Sequence, residues 1–290
     1  MKIKIGLALG GGGARGLAHI GVLKIFVREK IPIYQITGCS IGAIIGGAYA
    51  YFNDIEKTEN SIRKLINNST VKKFNLETYA DYRKPNAHLN YYLNTLKRYF
   101  SMLKTLGKTS IYDEDLINEL FKLFPDSPIE NLPIRFACIA TDLISGREIV
   151  INEGSLRKAV IASSSIPGIF PPVEIDNQLL IDGAATDSIP VQIVRGQGVQ
   201  YVFAVDVTRC LEDRDELDNG LKILYRSEDI VTYHLTQERL AGADLVIRPK
   251  VRHFSWASID QIDKIIKAGE DAAEKALPVI EHIFKGLKRL

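Results

Sequence analysis

The sequence has few of the residues that build disulfide frameworks and metal sites. It contains three cysteines in 290 residues, widely separated at Cys39, Cys138 and Cys210, and five histidines. No C-x-x-C or H-E-x-x-H motif occurs, which argues against a disulfide-stabilised fold and against a zinc site. We therefore expect a protein of a reducing compartment that uses no metal and no cofactor.

The sequence also lacks an excess of charge of either sign and a long membrane-spanning run. Lysine and arginine number 37 against 35 acidic residues, a net charge of +2, which gives no electrostatic basis for binding nucleic acid. The apolar run near the N-terminus is short and is followed by glycines and Arg15, so we do not expect it to be a signal peptide. The longest uncharged stretch, Ile31–Asn53, contains Pro32 and four glycines. We expect no transmembrane helix, a cytoplasmic location, and peripheral contact at the inner membrane surface at most.

A serine between two glycines stands where an apolar strand gives way to an apolar helix. The predicted strand is Ile33–Thr37, the predicted helix is Ile41–Ala50, and Gly38-Cys39-Ser40-Ile41-Gly42 joins them. In such a turn the central residue is strained, and only residues without bulk fit two positions to either side. The pattern is typical of a nucleophile elbow with Ser40 as the nucleophile. Cys39 is the weaker candidate, because neighbouring side chains in an elbow point to different faces.

A glycine-rich loop precedes the elbow by one strand. It occupies residues 10–16, between a predicted strand at Lys2–Leu9 and a predicted helix at Leu17–Lys30. The loop satisfies G-x-G-x-x-G, but dinucleotide binding also needs an acidic residue about 20 residues on, and positions 31 to 53 contain none. Its bare N–H groups suit a phosphate or an oxyanion. With a serine elbow close by, we predict an oxyanion hole formed by the N–H groups of Gly11, Gly12, Gly13 and Ile41.

Strands and helices alternate through the rest of the chain, which predicts a single α/β domain over residues 1–290. Ser155 is expected to cap a short helix ending at Ala162, and a hairpin turning at Asp176-Asn177 is expected to deliver Asp182. Residues 163–172 are too rich in proline for regular structure and too apolar for a free loop, so they should line a pocket. Further strands are predicted at Ile134–Asp142, Arg147–Ile151, Tyr201–Val207 and Asp244–Ile247, and helices at Asp54–Asn68, Asp113–Phe124, Asp218–Leu240 and Ser258–Leu290, the last interrupted at Pro278.

Together these blocks resemble the patatin-like phospholipases, particularly the bacterial branch related to neuropathy target esterase. The matching blocks, in that family's order and spacing, are Gly6–Gly16, Gly38–Gly42, Ala162–Pro172 and Asp182-Gly183-Ala184. The resemblance runs from about Lys2 to Pro249. It implies a three-layer α/β/α sandwich with a mainly parallel central sheet. It also implies a dyad of Ser40 and Asp182 that hydrolyses fatty acyl esters of phospholipids or lysophospholipids through an acyl-enzyme.

The residues alone leave several roles open. Asp142 and Asp206 also end predicted strands and compete with Asp182, which only the family motif selects. No histidine lies in a loop after a convincing strand, and His19 is expected to be a buried structural residue. Three further residues are candidates for contact with the substrate, although Arg15 is also suited to holding the glycine loop: Arg15, Pro167 and Phe170. Two other functions would use the same features, namely an acyltransferase with a non-water acceptor and a non-catalytic protein that binds an anionic lipid or nucleotide through the glycine loop.

Two segments carry no family motif. Residues 70–110 mix aromatic and basic residues and are predicted to form a lid or cap, with membrane contact through side chains such as Tyr91, Tyr92, Lys97, Arg98, Tyr99 and Phe100. The C-terminal helical segment, 258–290, carries an apolar stripe beside basic residues, which suits a helix lying on a membrane. The more common interpretation is a helix whose stripe packs on its own domain. The stripe consists of Ile280, Ile283, Phe284 and Leu287, beside Lys285, Lys288 and Arg289.

Overall fold

The computed structural model describes residues 3–69, 71, 107–209, 211, 217 and 220–287. The predicted lid or cap at 70–110 falls almost entirely outside these residues, as do Cys210, Lys288 and Arg289. The strands are β1 Ile5–Leu9, β2 Ile33–Cys39, β3 Arg135–Asp142, β4 Glu148–Ile151, β5 Val173–Ile175, β6 Gln178–Asp182, β7 Tyr201–Val205 and β8 Leu245–Ile247. The α-helices are α1 Ala18–Arg28, α2 Ile41–Phe52, α3 Ile55–Asn67, α4 Glu114–Phe121, α5 Leu156–Ser163, α6 Val191–Gly196, α7 Gly220–Leu240 and α8 Ile262–Leu287.

All eight strands belong to one mixed sheet. The path of paired strands is β5-β6-β3-β2-β1-β7-β8, and β4 pairs with β3. The strands β3, β2, β1, β7 and β8 are parallel, whereas β4, β5 and β6 pair in antiparallel fashion. The sheet is therefore mainly parallel with an antiparallel extension at one side.

Helices cover both faces of the sheet, and all five residues of β1 are buried. On β1, Leu7 and Leu9 face the larger core with α1, α2 and α8, whereas Ala8 faces a smaller core with α6 and the end of α7. Side chains of successive strand residues point to opposite faces, so a strand buried on both faces is apolar throughout. This arrangement is the predicted three-layer α/β/α sandwich.

The predicted elements within the described residues are present, with ends that differ by a few residues. Asp176 and Asn177 have φ values of 51° and 60°, which is the backbone of the tight hairpin turn that the sequence predicts. The Ser155 hydroxyl accepts the Lys158 N–H at 3.1 Å and so caps α5 as predicted. The six-residue α6 was not predicted, because it is too short to show a helical period.

The prediction that Pro278 interrupts the C-terminal helix was wrong. Pro278 lies inside α8, which continues from Ile262 to Leu287. Packing holds this helix in place: Gly21 of α1 and Gly269 of α8 allow the two backbones to approach closely, and Ile280 is 1% exposed. Ile283 and Phe284 pack against the same core. These three residues of the apolar stripe thus pack on their own domain, as the more common interpretation has it. Within the described ranges no helix has the length and apolar character needed to cross a bilayer.

Candidate active site

The backbone at Ser40 has the geometry of a nucleophile elbow. Ser40 has φ 53° and ψ −121°, a conformation that side chains rarely adopt, and it immediately precedes α2. A methyl group added at Gly38 would lie 2.4 Å from the Gly42 carbonyl, and one added at Gly42 would lie 2.1 Å from the Leu9 carbonyl oxygen. The two glycines of the motif are therefore required by the close approach of β1, β2 and α2.

Ser163 holds the elbow from the neighbouring helix. Its hydroxyl accepts the Ser40 N–H at 3.1 Å and donates to the Ile139 carbonyl at 2.6 Å. Ser163 is the last residue of α5, and its side chain is buried. Sequence reasoning missed this residue. It is the first of three consecutive serines, and nothing in the pattern distinguishes it from Ser164 and Ser165.

Asp182 meets the elbow because β2 and β6 end against each other along one edge of β3. Ile139 pairs with Cys39 of β2 and Ala140 pairs with Asp182 of β6, while both residues also pair with β4. A strand has only two edges. Because β4 occupies one edge of β3 at these residues, β2 and β6 must both pair along the other edge. They run toward each other, and Ser40 and Asp182 occupy the point where they meet.

Asp182 is buried and accepts three hydrogen bonds. Burial raises its pKa to about 6, and bonds from the Ser40 hydroxyl, the Ala184 N–H and the Cys39 thiol oppose the rise. The Ala184 N–H lies 2.9 Å from Oδ1. An aspartate with this pKa is ionised at neutral pH yet basic enough to take a proton from a hydroxyl in contact with it.

The two competing aspartates have other partners. Asp142 accepts the Ser145 hydroxyl at 2.6 Å and the Leu179 N–H at 3.1 Å, and the Ser145 bond holds its pKa below the usual value. Asp206 accepts the Thr208 hydroxyl at 2.6 Å and the Arg248 Nε–H at 3.2 Å. Asp142 thus stabilises a turn, and Asp206 stabilises a turn and pairs with Arg248, whereas Asp182 is bonded to Ser40.

Cys39 and His19 both prove to be structural. The Cys39 thiol lies 3.8 Å from Oδ1 of Asp182, and burial raises its pKa well above the usual value, so it stays protonated. His19 Nε2 lies 2.8 Å from the Gly10 carbonyl, and burial lowers the histidine pKa to about 4. A neutral ring must donate this bond, so His19 fastens the glycine loop, as expected of a buried structural histidine.

The glycine loop packs directly on the elbow. A methyl group added at Gly11 would lie 3.4 Å from the Ser40 Cβ, and one added at Gly16 would lie 2.1 Å from an Ile41 methyl group. Arg15 donates from Nε to the Gly12 carbonyl at 3.1 Å, which fits the loop-holding role. Gly13 has φ +59° and approaches Trp256, whose carbonyl accepts the Ala14 N–H at 2.6 Å.

One of the predicted oxyanion donors is already engaged. The Gly11 N–H donates to the Ser188 carbonyl at 2.8 Å, so it is not free to bind an oxyanion in this structure. This role of Ser188 was not predicted, because a sequence does not show which backbone carbonyl accepts a given N–H. By contrast, no acceptor within the described part of the chain takes the N–H of Gly12, Gly13 or Ile41.

An apolar cavity of about 160 Å³ includes Ser40 in its lining. Apart from the hydroxyls of Ser40, Ser164 and Ser165 and the Trp256 indole, the lining is hydrocarbon, contributed mainly by Leu17, Ile44, Ile62, Leu65, Ile117, Leu120, Phe121, Ile161 and Phe170. The loop at 163–172 contributes to it, as predicted. Phe170 is one of its lining residues, whereas Pro167, the other predicted contact in this loop, is exposed and does not line the cavity. The arrangement suits a long alkyl group whose polar end lies at Ser40.

No group of described side chains could hold a metal ion. The site instead combines a hydroxyl, a buried carboxylate, unbonded N–H groups and a hydrocarbon cavity. Such a set suits acyl transfer to and from serine.

Comparison with known proteins identifies relatives of this chain. The patatin-like phospholipase family model matches residues 7–195. Lysophospholipase NTE1 of Eremothecium gossypii is 31% identical over 74% of this chain, which covers 12% of that protein. An uncharacterized NTE family protein of Mycobacterium bovis is 29% identical over 94% of this chain, which covers 46% of that protein. The chain thus spans less than half the length of these curated relatives.

Among solved structures, VipD from Legionella pneumophila shares the fold. The TM-score is 0.51 at 17% identity, over 96% of this chain and 67% of that one. The family model covers well over half of the residues, and the elbow, the glycine loop and Asp182 all lie within it. The chain belongs to the patatin-like phospholipase family.

Proposed function

We propose that the protein is a serine acyl hydrolase that cleaves fatty acyl esters of phospholipids or lysophospholipids. The observation that carries the proposal is the contact between Ser40 and the buried Asp182 at an apolar cavity. The family and the name lysophospholipase carried by its relatives support the substrate class.

The proposed reaction proceeds in two steps. Asp182 accepts the Ser40 hydroxyl proton while Ser40 Oγ attacks the ester carbonyl, and the same proton then goes to the departing alcohol, which leaves an acyl-enzyme. Water, deprotonated by Asp182, attacks the acyl-enzyme and releases the fatty acid and free Ser40. Asp182 is thus the base and then the acid in each step.

The oxyanion is proposed to bind to the N–H groups of Gly12, Gly13 and Ile41. All three are unbonded among the described residues, and Ile41 begins a helix whose first N–H groups have no partner within the helix. Losing one such donor typically costs about 3–4 kcal/mol of transition-state stabilisation. Gly11 has a different role in this proposal, because its bond to Ser188 fixes the loop against the segment that follows Asp182.

Contact with lipid is proposed to occur at the cavity and not through the C-terminal helix. The cavity lining is almost wholly apolar, whereas Ile280, Ile283 and Phe284 are engaged in the protein's own core. Membrane contact through residues 70–110 stays a prediction about a part of the chain outside the described residues.

The test is labelling with a fluorophosphonate, mapping of the modified residue, and hydrolysis of a short chromogenic ester by variants. Ser40→Ala is expected to abolish both labelling and turnover. Asp182→Asn is expected to lower turnover by orders of magnitude, because an amide keeps the shape but cannot take the proton. Asp142→Asn and Asp206→Asn are matched controls that should retain turnover.

Retained hydrolysis in Ser40→Ala, or a label on another residue, would refute the proposal. If Asp206→Asn or Asp142→Asn is the inactive variant and Asp182→Asn is active, the dyad is wrongly assigned. Release of the acyl group to an added alcohol in preference to water would identify an acyltransferase instead.

A further inference from the structure

Two isoleucines separate the apolar cavity at Ser40 from a second cavity. Ile117 of α4 and Ile161 of α5 line both spaces, the second of which has a volume of about 290 Å³. They are 4% and 8% exposed, on helices that pack against each other. Side chains that touch two neighbouring spaces form a wall between them.

The second cavity lies on the far side of this wall from Ser40. Helix α5 ends at Ser163, which holds the Ser40 N–H, and Ile161 lies two residues before that end. Ser155 and Lys158, at the beginning of the helix, line the second cavity. With a rise of about 1.5 Å per residue, Ser155 is roughly 12 Å from Ser163 along the helix axis. The path from Ser40 along α5 therefore crosses the wall before it reaches the second cavity.

The two spaces differ in chemistry. The first is lined by hydrocarbon, whereas half of the residues lining the second are polar or charged: Glu114, Asn118, Ser155, Arg157 and Lys158. Each methylene that enters an apolar space improves binding about fourfold. A chain that meets the wall gains nothing further, since it must bend or leave its end in water.

We propose that Ile117 and Ile161 set the longest acyl chain that this site accepts. The inference rests on the proposed function, because it assumes that the acyl chain extends from Ser40 into the apolar cavity. It assigns a specificity role to two residues that do not touch the reacting atoms.

The experiment measures kcat/KM for p-nitrophenyl esters of increasing even chain length, each below the concentration at which it forms micelles. The full chain should show an optimum beyond which kcat/KM falls. Ile161→Ala and Ile117→Ala should move this optimum to chains longer by two or more carbons, with a gain of at most about fourfold for each added methylene, because the second cavity is partly polar. Ile161→Val, which removes a single methyl group, should move it less, and thermal melting checks that each variant is folded.

Two further variants separate the wall from general loosening of the cavity. Leu120→Ala, on α4, enlarges only the first cavity and should leave the optimum where it is. Asn118 is exposed and, of the two cavities, lines only the second. Adding Asn118→Trp to Ile161→Ala should therefore restore the original optimum. Asn118→Trp alone should leave the optimum unchanged, because the wall is intact. An unchanged optimum in folded, active Ile161→Ala and Ile117→Ala would overturn the inference, as would an equal shift in Leu120→Ala. Absence of hydrolysis in the unaltered chain would instead refute the proposed function.

Discussion

Ser40, at the turn between β2 and α2, has an unfavourable backbone conformation. Its φ of 53° with ψ −121° lies where glycine alone is comfortable, and such residues cost about 1–3 kcal/mol each. Replacing Ser40 by glycine should therefore remove strain that alanine at this position retains. We therefore expect the proposed nucleophile to lower the free energy of unfolding relative to glycine at the same position.

We predict that Ser40→Gly is more stable than Ser40→Ala by about 1 kcal/mol or more, although both are inactive. Urea unfolding of the two variants measures the difference. The comparison is matched because neither variant carries the hydroxyl. Equal stability would mean that the backbone relaxes when the serine is removed.

The pKa of Asp182 predicts how activity depends on pH. Burial raises it to about 6 from the ordinary 3.8, and only the ionised carboxylate can take the Ser40 proton. The rate constant kcat/KM should therefore fall tenfold per pH unit below a midpoint near pH 6. The same shift means that ionising Asp182 costs stability as the pH rises from about 4 to 6.

The control for this prediction is Asp187→Asn. Burial raises the Asp187 pKa to about 7, and this carboxylate accepts the Ile189 N–H outside the dyad. The activity midpoint should stay near pH 6 in this variant. A midpoint near pH 4, or one that moves with Asp187→Asn, would show that another group controls the rate.

A residue of the candidate site could be predicted where its role follows from neighbouring residues or from a motif, and not where it depends on a contact with a distant part of the chain. Ser40 and the glycines beside it follow from local sterics, and Asp182 followed from a family motif. Gly11 was assigned as an oxyanion donor because its N–H is bare in the sequence, but the Ser188 carbonyl takes it. Ser163 was missed because its role depends on the end of α5 lying next to β2.

The close contact between α1 and α8 depends on two glycines, Gly21 and Gly269. A methyl group added at Gly269 would lie 2.0 Å from the Ala18 carbonyl oxygen, and one added at Gly21 would lie 2.0 Å from that of Ile266. Both glycines are in helix interiors, where alanine is ordinarily favoured by about 1 kcal/mol. Close packing of the two backbones outweighs that preference.

We predict that Gly269→Ala lowers the free energy of unfolding by about 1–3 kcal/mol, despite the better helix propensity of alanine. Gly196→Ala, at the end of α6, is the matched control, because nothing lies within 4 Å of the added methyl group. The control should change stability by less than about 0.5 kcal/mol. Denaturant unfolding tests both, and a neutral Gly269→Ala would mean that α8 can move away from α1.

The packing of α8 on α1 also explains why the prediction of a break at Pro278 was wrong. Proline in a helix interior removes a hydrogen bond and usually ends or bends the helix. Here Ile265, Ile266 and Ile280 are buried on α8 on both sides of Pro278, so packing keeps the helix continuous. The hairpin at Asp176-Asn177 and the cap at Ser155 were predictable, because each depends only on neighbouring residues.

Helix α8 contributes to the hydrophobic core of the protein. Ile280→Ala should lower the free energy of unfolding by about 2–5 kcal/mol, since its side chain is 1% exposed. The neighbouring Val279 is 47% exposed, and Val279→Ala should change stability by less than about 0.5 kcal/mol. Thermal or urea unfolding gives both values, and vesicle co-sedimentation of the same variants should not change. Weaker vesicle binding by Ile280→Ala with unchanged stability would assign the stripe to a membrane.

The meeting of β2 and β6 on one edge of β3 was beyond prediction from the sequence. Local patterns show that both strands exist and where each ends. Whether the ends of two strands that are 143 residues apart in the chain meet depends on how each of them pairs with β3. Ile139 and Ala140 carry no feature that marks them as the junction.

Helix α5 contributes both to the support of Ser40 and to the lining of the cavity. One end of it supplies the hydroxyl that fixes the Ser40 amide, and the same helix supplies Ile161 to the cavity lining. A substitution on α5 that changes the size of the cavity is therefore made on the helix that also fixes this amide. Libraries aimed at the shape of the cavity should therefore begin with Ile62 and Leu65 on α3, which line the same cavity from another helix.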